Sequence, residues 1–207
     1  MQFCLTPEHT KQNSLYEPQL MDNFANNSDA KPSLSHLNAK GEANMVDVTN
    51  KIISARSASA HGFIRMSTQA MDLINRGKNK KGDIFAIARI AGIQAAKKCS
   101  ELIPLCHPLM LTKVQVDFAL DPHNNTIEVI SLCKLAGQTG VEMEALTAVS
   151  VALLTLFDMC KAADPNMEMF AIRVLSKKGG KSGAWHALHE EIQEPQVTPK
   201  KGSNDND

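Results

Sequence analysis

The stretch GQTGVEMEALTAVSVALLTLFDMCKA, residues 137–162, decides how the rest of the chain is read. It opens on Thr139-Gly140, a small polar pair suited to a turn and a helix start, and then continues without Gly or Pro. That spacing predicts a helix of more than about five turns. Its middle, residues 145–157, is apolar almost all the way round, broken by Thr147, Ser150 and Thr155. Such a helix is expected to be buried on most sides. About 13 apolar residues fall short of the ~20 that cross a bilayer. Charge is confined to the two ends, Glu142 and Glu144 at the start, Asp158 and Lys161 at the finish. These signs match the helix dipole, which alone would account for them.

The ends support a second reading. Asp158 and Lys161 are three apart, hence neighbours on one face, where a carboxylate can hold and orient an ammonium. Charge on a mostly buried helix is costly, which makes Lys161 a candidate acid/base group in a partly buried setting. Glu144 and Asp158 face nearly the same way but stand about 21 Å apart along the axis. If both serve one pocket, a second copy of the chain must supply one of them. The site would then lie between subunits.

Outward from this helix, residues 1–35 are rich in Asn, Ser, Pro and Lys without a periodic apolar pattern and are expected to form a tail. Residues 37–47 are loop-like. Residues 55–66, ARSASAHGFIRM, alternate small and polar types and read as a strand. Ser67 caps a short helix that Gly77 stops. The basic turn KNKKGD, residues 78–83, leads into a second long helix over 84–101, with Asp83 as its cap. Two prolines keep residues 103–109, IPLCHPL, out of a helix. Residues 114–120 and 126–132 read as a hairpin across the five-residue loop DPHNN. After the central helix, residues 169–176 form a last strand. The main domain is placed at 36–186 and a polar C-terminal tail at 187–207. The order strand, helices, two strands, helix, strand is an α+β pattern of the ferredoxin-like kind, an antiparallel sheet packed against long helices. No repeat of 20–50 residues is visible.

Composition narrows the function classes. With 207 residues, 43% hydrophobic and 21% charged, the chain can bury a real core. Lys+Arg and Asp+Glu are both 22, so no global charge favours nucleic acid or a membrane surface. At 4% aromatic, a base-stacking platform is poorly supplied. The five cysteines show no metal-ligand spacing, and reduced thiols are the simplest account of them. The N-terminus lacks a basic start and apolar run and carries Glu8 and Glu17, so a cytoplasmic location is expected.

Four patches hold candidate chemistry. The first is Lys80-Lys81-Gly82-Asp83 before a helix, a ready anion site or a solvated basic turn. The second is Cys106-His107 between prolines, too few ligands for zinc but able to present a fixed imidazole. The third is SKKGGKSG, residues 176–183, which lacks the first glycine of a Walker A motif because position 175 is Leu175. It remains a Gly- and Lys-rich loop able to wrap phosphate, or a plain surface turn. The fourth is the charged pair of ends on the central helix. No GxSxG element is present, so acyl chemistry is not favoured. Basic loops, a histidine, carboxylates and a tunable lysine suit acid/base rearrangement of a phosphorylated small molecule, with no redox cofactor or metal required.

Residues 80–114, KKGDIFAIARIAGIQAAKKCSELIPLCHPLMLTKV, together with 137–162 and 176–183, resemble the cyclic pyranopterin monophosphate synthase family of molybdenum cofactor biosynthesis, the MoaC family. The resemblance spans roughly residues 36–186. It implies a ferredoxin-like lyase, a homohexamer built as a trimer of dimers, with sites between subunits. Its substrate would be the cyclic dihydro-GTP derivative supplied by a radical enzyme, and pyrophosphate would leave. It implies catalytic roles for Asp158, Lys161 and Lys81, and substrate contacts by Leu105, Cys106, His107, Glu142, Met143, Glu144 and Lys177. In this scheme Lys161 and Lys81 carry the proton transfers, Asp158 orients Lys161, and His107 with the basic loops holds the triphosphate. No cofactor is implied, with Mg²⁺ assistance at the triphosphate left open, and neither nucleic acid nor membrane is a partner. Gln138, at a position often basic in the family, and Phe157, at one often Tyr, are departures. The alternatives are a non-catalytic nucleotide-binding or assembly subunit and, less well supported, a nucleic-acid-binding domain on the same fold.

Overall fold

The structure, a computed structural model, describes residues 35–38, 40–75, 83–181 and 183–187. The expected tails, together with Lys80, Lys81, Gly82 and Ser182 of the two basic loops, fall outside these residues apart from Ser35 and Ala187. The chain divides into Met1–Ser35 and His36–Asp207, and the architecture below belongs to the second unit.

Among the described residues nine elements follow in order: β1 Ser54–Arg65, α1 Thr68–Asn75, α2 Ile84–Lys97, α3 Cys99–Leu102, β2 Lys113–Asp121, β3 Thr126–Gly137, α4 Glu142–Cys160, β4 Glu168–Lys178 and β5 Trp185–His186. The strands form one sheet in the order β2-β3-β1-β4-β5, and every pairing is antiparallel. Without β5, that is the β-α-β-β-α-β ferredoxin-like arrangement. The small edge strand β5 was not anticipated, since Trp185-His186 is too short to carry an alternation.

Alternation along the strands explains the layering. On β1, Ala58, Ala60 and Ile64 are buried, and on β3 so are Ile127, Val129, Ser131, Cys133 and Leu135. Every second residue therefore faces the helices. α4 lies across β1, β3 and β4 and also packs along α2. Ile64, Ile127, Val129, Leu153 and Leu156 sit at 1% exposure or less. Each such side chain contributes about 1.5–3 kcal/mol of transfer free energy. At Gly92 of α2 the helices touch: an added Cβ would lie 2.8 Å from the Ala148 carbonyl oxygen of α4. By length and composition α4, at 19 residues, would pass as a membrane-crossing helix, longer than its apolar middle suggested. Its packing against three strands and a helix accounts for that apolarity.

Two boundaries differ from expectation. The second long helix breaks at Lys98 (φ −106°, ψ 14°), whose N–H bonds back to the Gln94 and Ala95 carbonyls, and α3 restarts at Cys99. No Gly or Pro marks this break in the sequence. β3 runs on to Gly137, so the turn at Thr139-Gly140 is a strand-to-helix link rather than the first helical turn. The Asp83 cap is as expected, its Oδ1 accepting from the Ala86 N–H at 3.0 Å.

On the sheet face away from α4, His61 is 6% exposed. Its Nδ1 lies 2.6 Å from Glu128 Oε1, and its Nε2 accepts from Arg173 Nε at 3.1 Å. Nδ1 therefore carries the proton and donates to the carboxylate. Each ring nitrogen has a partner, which is how a buried imidazole is accommodated.

Candidate functional site

Three ends of strands meet beside the start of α4. β4 passes at Lys178 into Gly179 and Gly180, both left-handed at φ 95° and 79°. A side chain at position 179 would collide with the Ala55 carbonyl, so glycine is what lets this loop fold back over the start of β1. The loop, the start of β1 and the 138–140 link enclose a cavity of about 840 Å³. Five cationic residues, Lys51, Arg56, Lys177, Lys178 and Lys181, line it. Arg56 Nε donates to the Gly137 carbonyl at 2.8 Å, which fixes the guanidinium at the end of β3. Lys177 Nζ lies 3.3 Å from Glu142 Oε1, both partly exposed. Ser54 also lines the cavity, with its hydroxyl oxygen buried and without a hydrogen-bond partner. Cations and a glycine-rich loop around open space are suited to a polyanion.

Behind the cavity lies a different environment. Glu144, two residues on from Glu142, points to the opposite side of the helix, as the 3.6-residue period requires, and is 3% exposed. Burial raises its carboxyl above the usual glutamate range, and neighbouring Glu142 adds to this, against a hydrogen bond with Cys99 and the attraction of His107. Burial likewise pushes the thiols of Cys99 and Cys133 up to about 12 and raises that of Cys106. Cys99 Sγ lies 3.6 Å from Thr147 Oγ1. These thiols come from α3, β3 and the Pro-bracketed segment, and at neutral pH they are protonated rather than nucleophilic. His107 Nε2 donates to the Val46 carbonyl at 2.9 Å, leaving Nδ1 as the nitrogen available to a ligand.

The far end of α4 is exposed. Lys161 Nζ lies 2.7 Å from Asp158 Oδ1, as the i, i+3 spacing predicts, but the side chains are 56% and 65% exposed. The expected partly buried lysine is not found in the single chain. The reason is helical phase: positions 158 and 161 continue the stripe of Leu154, itself 53% exposed, which points away from the strands.

The sequence-derived residues therefore fall into groups. Glu142 and Lys177 share the cavity. Cys106, His107 and Glu144 cluster behind it, with Leu105 half-buried on the same segment and Met143 37% exposed on α4. Asp158 stands about 21 Å and Lys161 about 25 Å from Glu144 along the helix. Lys81 lies outside the described residues. Sequence reasoning passed over Arg56, Lys51 and Ser54, which belong to no motif. The signal available was an arginine among the small residues that open β1. Among the described residues, no group of three or more His, Cys, Asp or Glu could hold a metal ion.

A protein-family model described as the MoaC family matches residues 45–180, well over half of the chain. The match covers the cavity up to Gly180, the Pro-bracketed segment and the whole of α4. The chain thus belongs to the MoaC family, an enzyme family of molybdenum cofactor biosynthesis.

Proposed function

We propose that the chain is a cyclic pyranopterin monophosphate synthase, a lyase converting (8S)-3',8-cyclo-7,8-dihydroguanosine 5'-triphosphate to cyclic pyranopterin monophosphate with release of pyrophosphate. The observation that carries this reading is the cavity lined by Arg56, Lys177 and Lys181 at the glycine loop, joined to family membership in the pathway. A triphosphate needs several fixed cations, and the cavity supplies them beside the start of α4. Closing a cyclic phosphate while pyrophosphate departs requires a substrate hydroxyl oxygen to attack the α-phosphorus. The bond from that phosphorus to the bridging oxygen of the β-phosphate breaks, and the hydroxyl proton passes to a base. Cations around the departing diphosphate stabilise its growing charge.

Proton transfers in the ring rearrangement fall to Lys161 and Lys81, with Asp158 orienting Lys161 through the 2.7 Å contact. Leu105, Cys106, His107, Met143 and Glu144 complete the substrate surround. Because Lys161 is exposed in one chain and distant from the cavity, a second copy has to bring it to the substrate. Cover by that copy would take the Asp158–Lys161 pair out of bulk water and set it against the substrate. Exposed Ile87 and Ile90 on α2 and Leu154 on α4 supply apolar surface for such assembly. The unit we favour is a homohexamer of three dimers, cytoplasmic, fed by a radical enzyme. The reading requires no redox cofactor and is compatible with Mg²⁺ at the triphosphate.

The test is turnover of the cyclic dihydro-GTP substrate followed by pyrophosphate release, with wild type and Lys161→Ala compared. Release by the wild type and its near-total loss in the variant support the synthase. Binding of the substrate without release by the wild type would replace it with a nucleotide-binding subunit.

A further inference from the structure

Asn50, Lys51 and Ile52 line the cavity at the end of the segment 46–51, which is tied to the rest of the domain through side-chain hydrogen bonds at both of its ends. Internally it is folded by a turn: Asp47 Oδ1 accepts from the Thr49 N–H at 2.9 Å and from the Thr49 hydroxyl at 2.6 Å, and the Lys51 N–H donates to the Val48 carbonyl at 2.9 Å. At its start the Val46 carbonyl accepts from His107 Nε2. At its finish the Thr49 and Lys51 carbonyls both accept from Gln138 Nε2, each at 3.1 Å. One carboxamide thus spends both its N–H donors on a single loop. Two bonds from a planar group fix orientation as well as distance. Asn50, Lys51 and Ile52 line the cavity together with Lys177 at the end of β4 and Lys181 after the two glycines.

Gln138 directly follows Gly137, whose carbonyl holds Arg56. The end of β3 therefore sets two walls at once: Arg56 through the main chain and the 46–51 segment through the next side chain. Ile52 is 86% exposed and gives this segment no burial of its own. Val46 and Val48 are half-buried, and the polar contacts supplement that burial in placing the segment.

We infer that Gln138 is a positioning residue, which touches no reacting atom but holds the 46–51 wall, and with it Lys51, at the separation from Lys177 and Lys181 that a polyphosphate requires. This rests on the reading that the cavity takes the triphosphate of the substrate. Ordering the wall in advance spares the ligand that cost on binding, so loss of the clasp weakens binding and leaves the chemical step alone.

The experiment compares full-length wild type, Gln138→Ala and Gln138→Met, the last keeping side-chain length without donors or charge. Three readouts are KM and kcat for the cyclic dihydro-GTP substrate, Kd for inorganic triphosphate by calorimetry, and amide hydrogen exchange of residues 47–52. Both variants are expected to raise KM and Kd about tenfold, the scale of two solvent-accessible hydrogen bonds. In both, kcat stays within about twofold and exchange in the segment quickens. Unchanged KM and Kd in either variant overturn the inference, as does a fall in kcat at constant KM. If the wild type releases no pyrophosphate while triphosphate affinity and exchange respond as stated, the clasp stands and the synthase reading falls. If the wild type turns over and the variants match it, the clasp alone falls.

Discussion

The two ends of α4 carry charge under opposite conditions. At the start, Glu144 is packed among thiols with its carboxyl raised by burial, a setting complete within one chain. At the finish, Asp158 and Lys161 form a short ion pair that water reaches from most sides. The first end is expensive for the fold and so has to be justified by something the fold or the ligand gains. The second costs the fold almost nothing and contributes little to it. Local stability therefore does not explain why the exposed pair is there, which is what a site completed by a second chain would lead one to expect.

The comparison breaks first at its exposed end. Asp158→Asn is expected to lower kcat by about 10²–10⁴-fold, the range of a lost acid/base arrangement. Its Tm should move by less than about 4 °C, since exposed pairs are worth under about 1 kcal/mol. Pyrophosphate release and calorimetry on one preparation measure both. A large fall in Tm with intact turnover would make the pair structural.

A mixing experiment asks whether the ends of different chains meet. Lys177→Ala removes a cavity cation and Lys161→Ala removes the distant lysine, so each pure variant should be nearly inactive. Co-expressed at equal amounts, they should recover about a quarter of wild-type activity, because one site in four then draws both intact halves from different chains. No recovery would mean that both ends act within a chain or in separate sites.

Much of this was readable in advance, and the division follows range. The central helix, the hairpin and the Asp83 cap depend on neighbours within a few residues, and their approximate positions followed from spacing. The break at Lys98 did not, because no local signal marks it. Glu142 and Glu144 were identified together, yet the helix sends one to Lys177 and the other to Cys99, partners far away in sequence. Arg56 was missed for the same reason, since its importance lies in Gly137 and the glycine loop. The lysine expected to be partly buried was legible as an ion pair, and in the single chain it is exposed because the strands cover another face of the helix.

Between the ends, Gly92→Ala offers a control. Helix propensity gains about 1 kcal/mol, but overpacking against the Ala148 carbonyl costs about 1–3 kcal/mol. A net loss of about 1 kcal/mol is expected in denaturant titration, with KM unchanged. A gain in stability would show that α2 and α4 shift apart easily.

The smallest effect concerns Glu144 and pH. Its raised carboxyl means the folded chain binds this proton more tightly than the unfolded one. The stability this confers is complete below about pH 4.5, the ordinary value, and declines as pH climbs through the raised folded value. Glu144→Gln keeps the shape and removes the titration. Its Tm should match wild type near pH 3 and exceed it increasingly towards neutral pH. A constant difference across that range would mean that Glu144 does not titrate differently on folding.

The central strand β1 has a further consequence, in the order of folding. It is the first strand of the sheet to be synthesised, yet Ser54 pairs with Gly137 and Ser57 with Lys178. Both its neighbours arrive late, while β2 and β3 can close as a hairpin at once. Pairing over such separations is slow, and an unpaired strand is an aggregation hazard while it waits. Its core-bound side chains at this stage are mainly alanines, with serines between them, SARSASAHGFIR. Little apolar surface is exposed until partners arrive, so the small residues that leave room for α4 in the finished sheet also protect the nascent one.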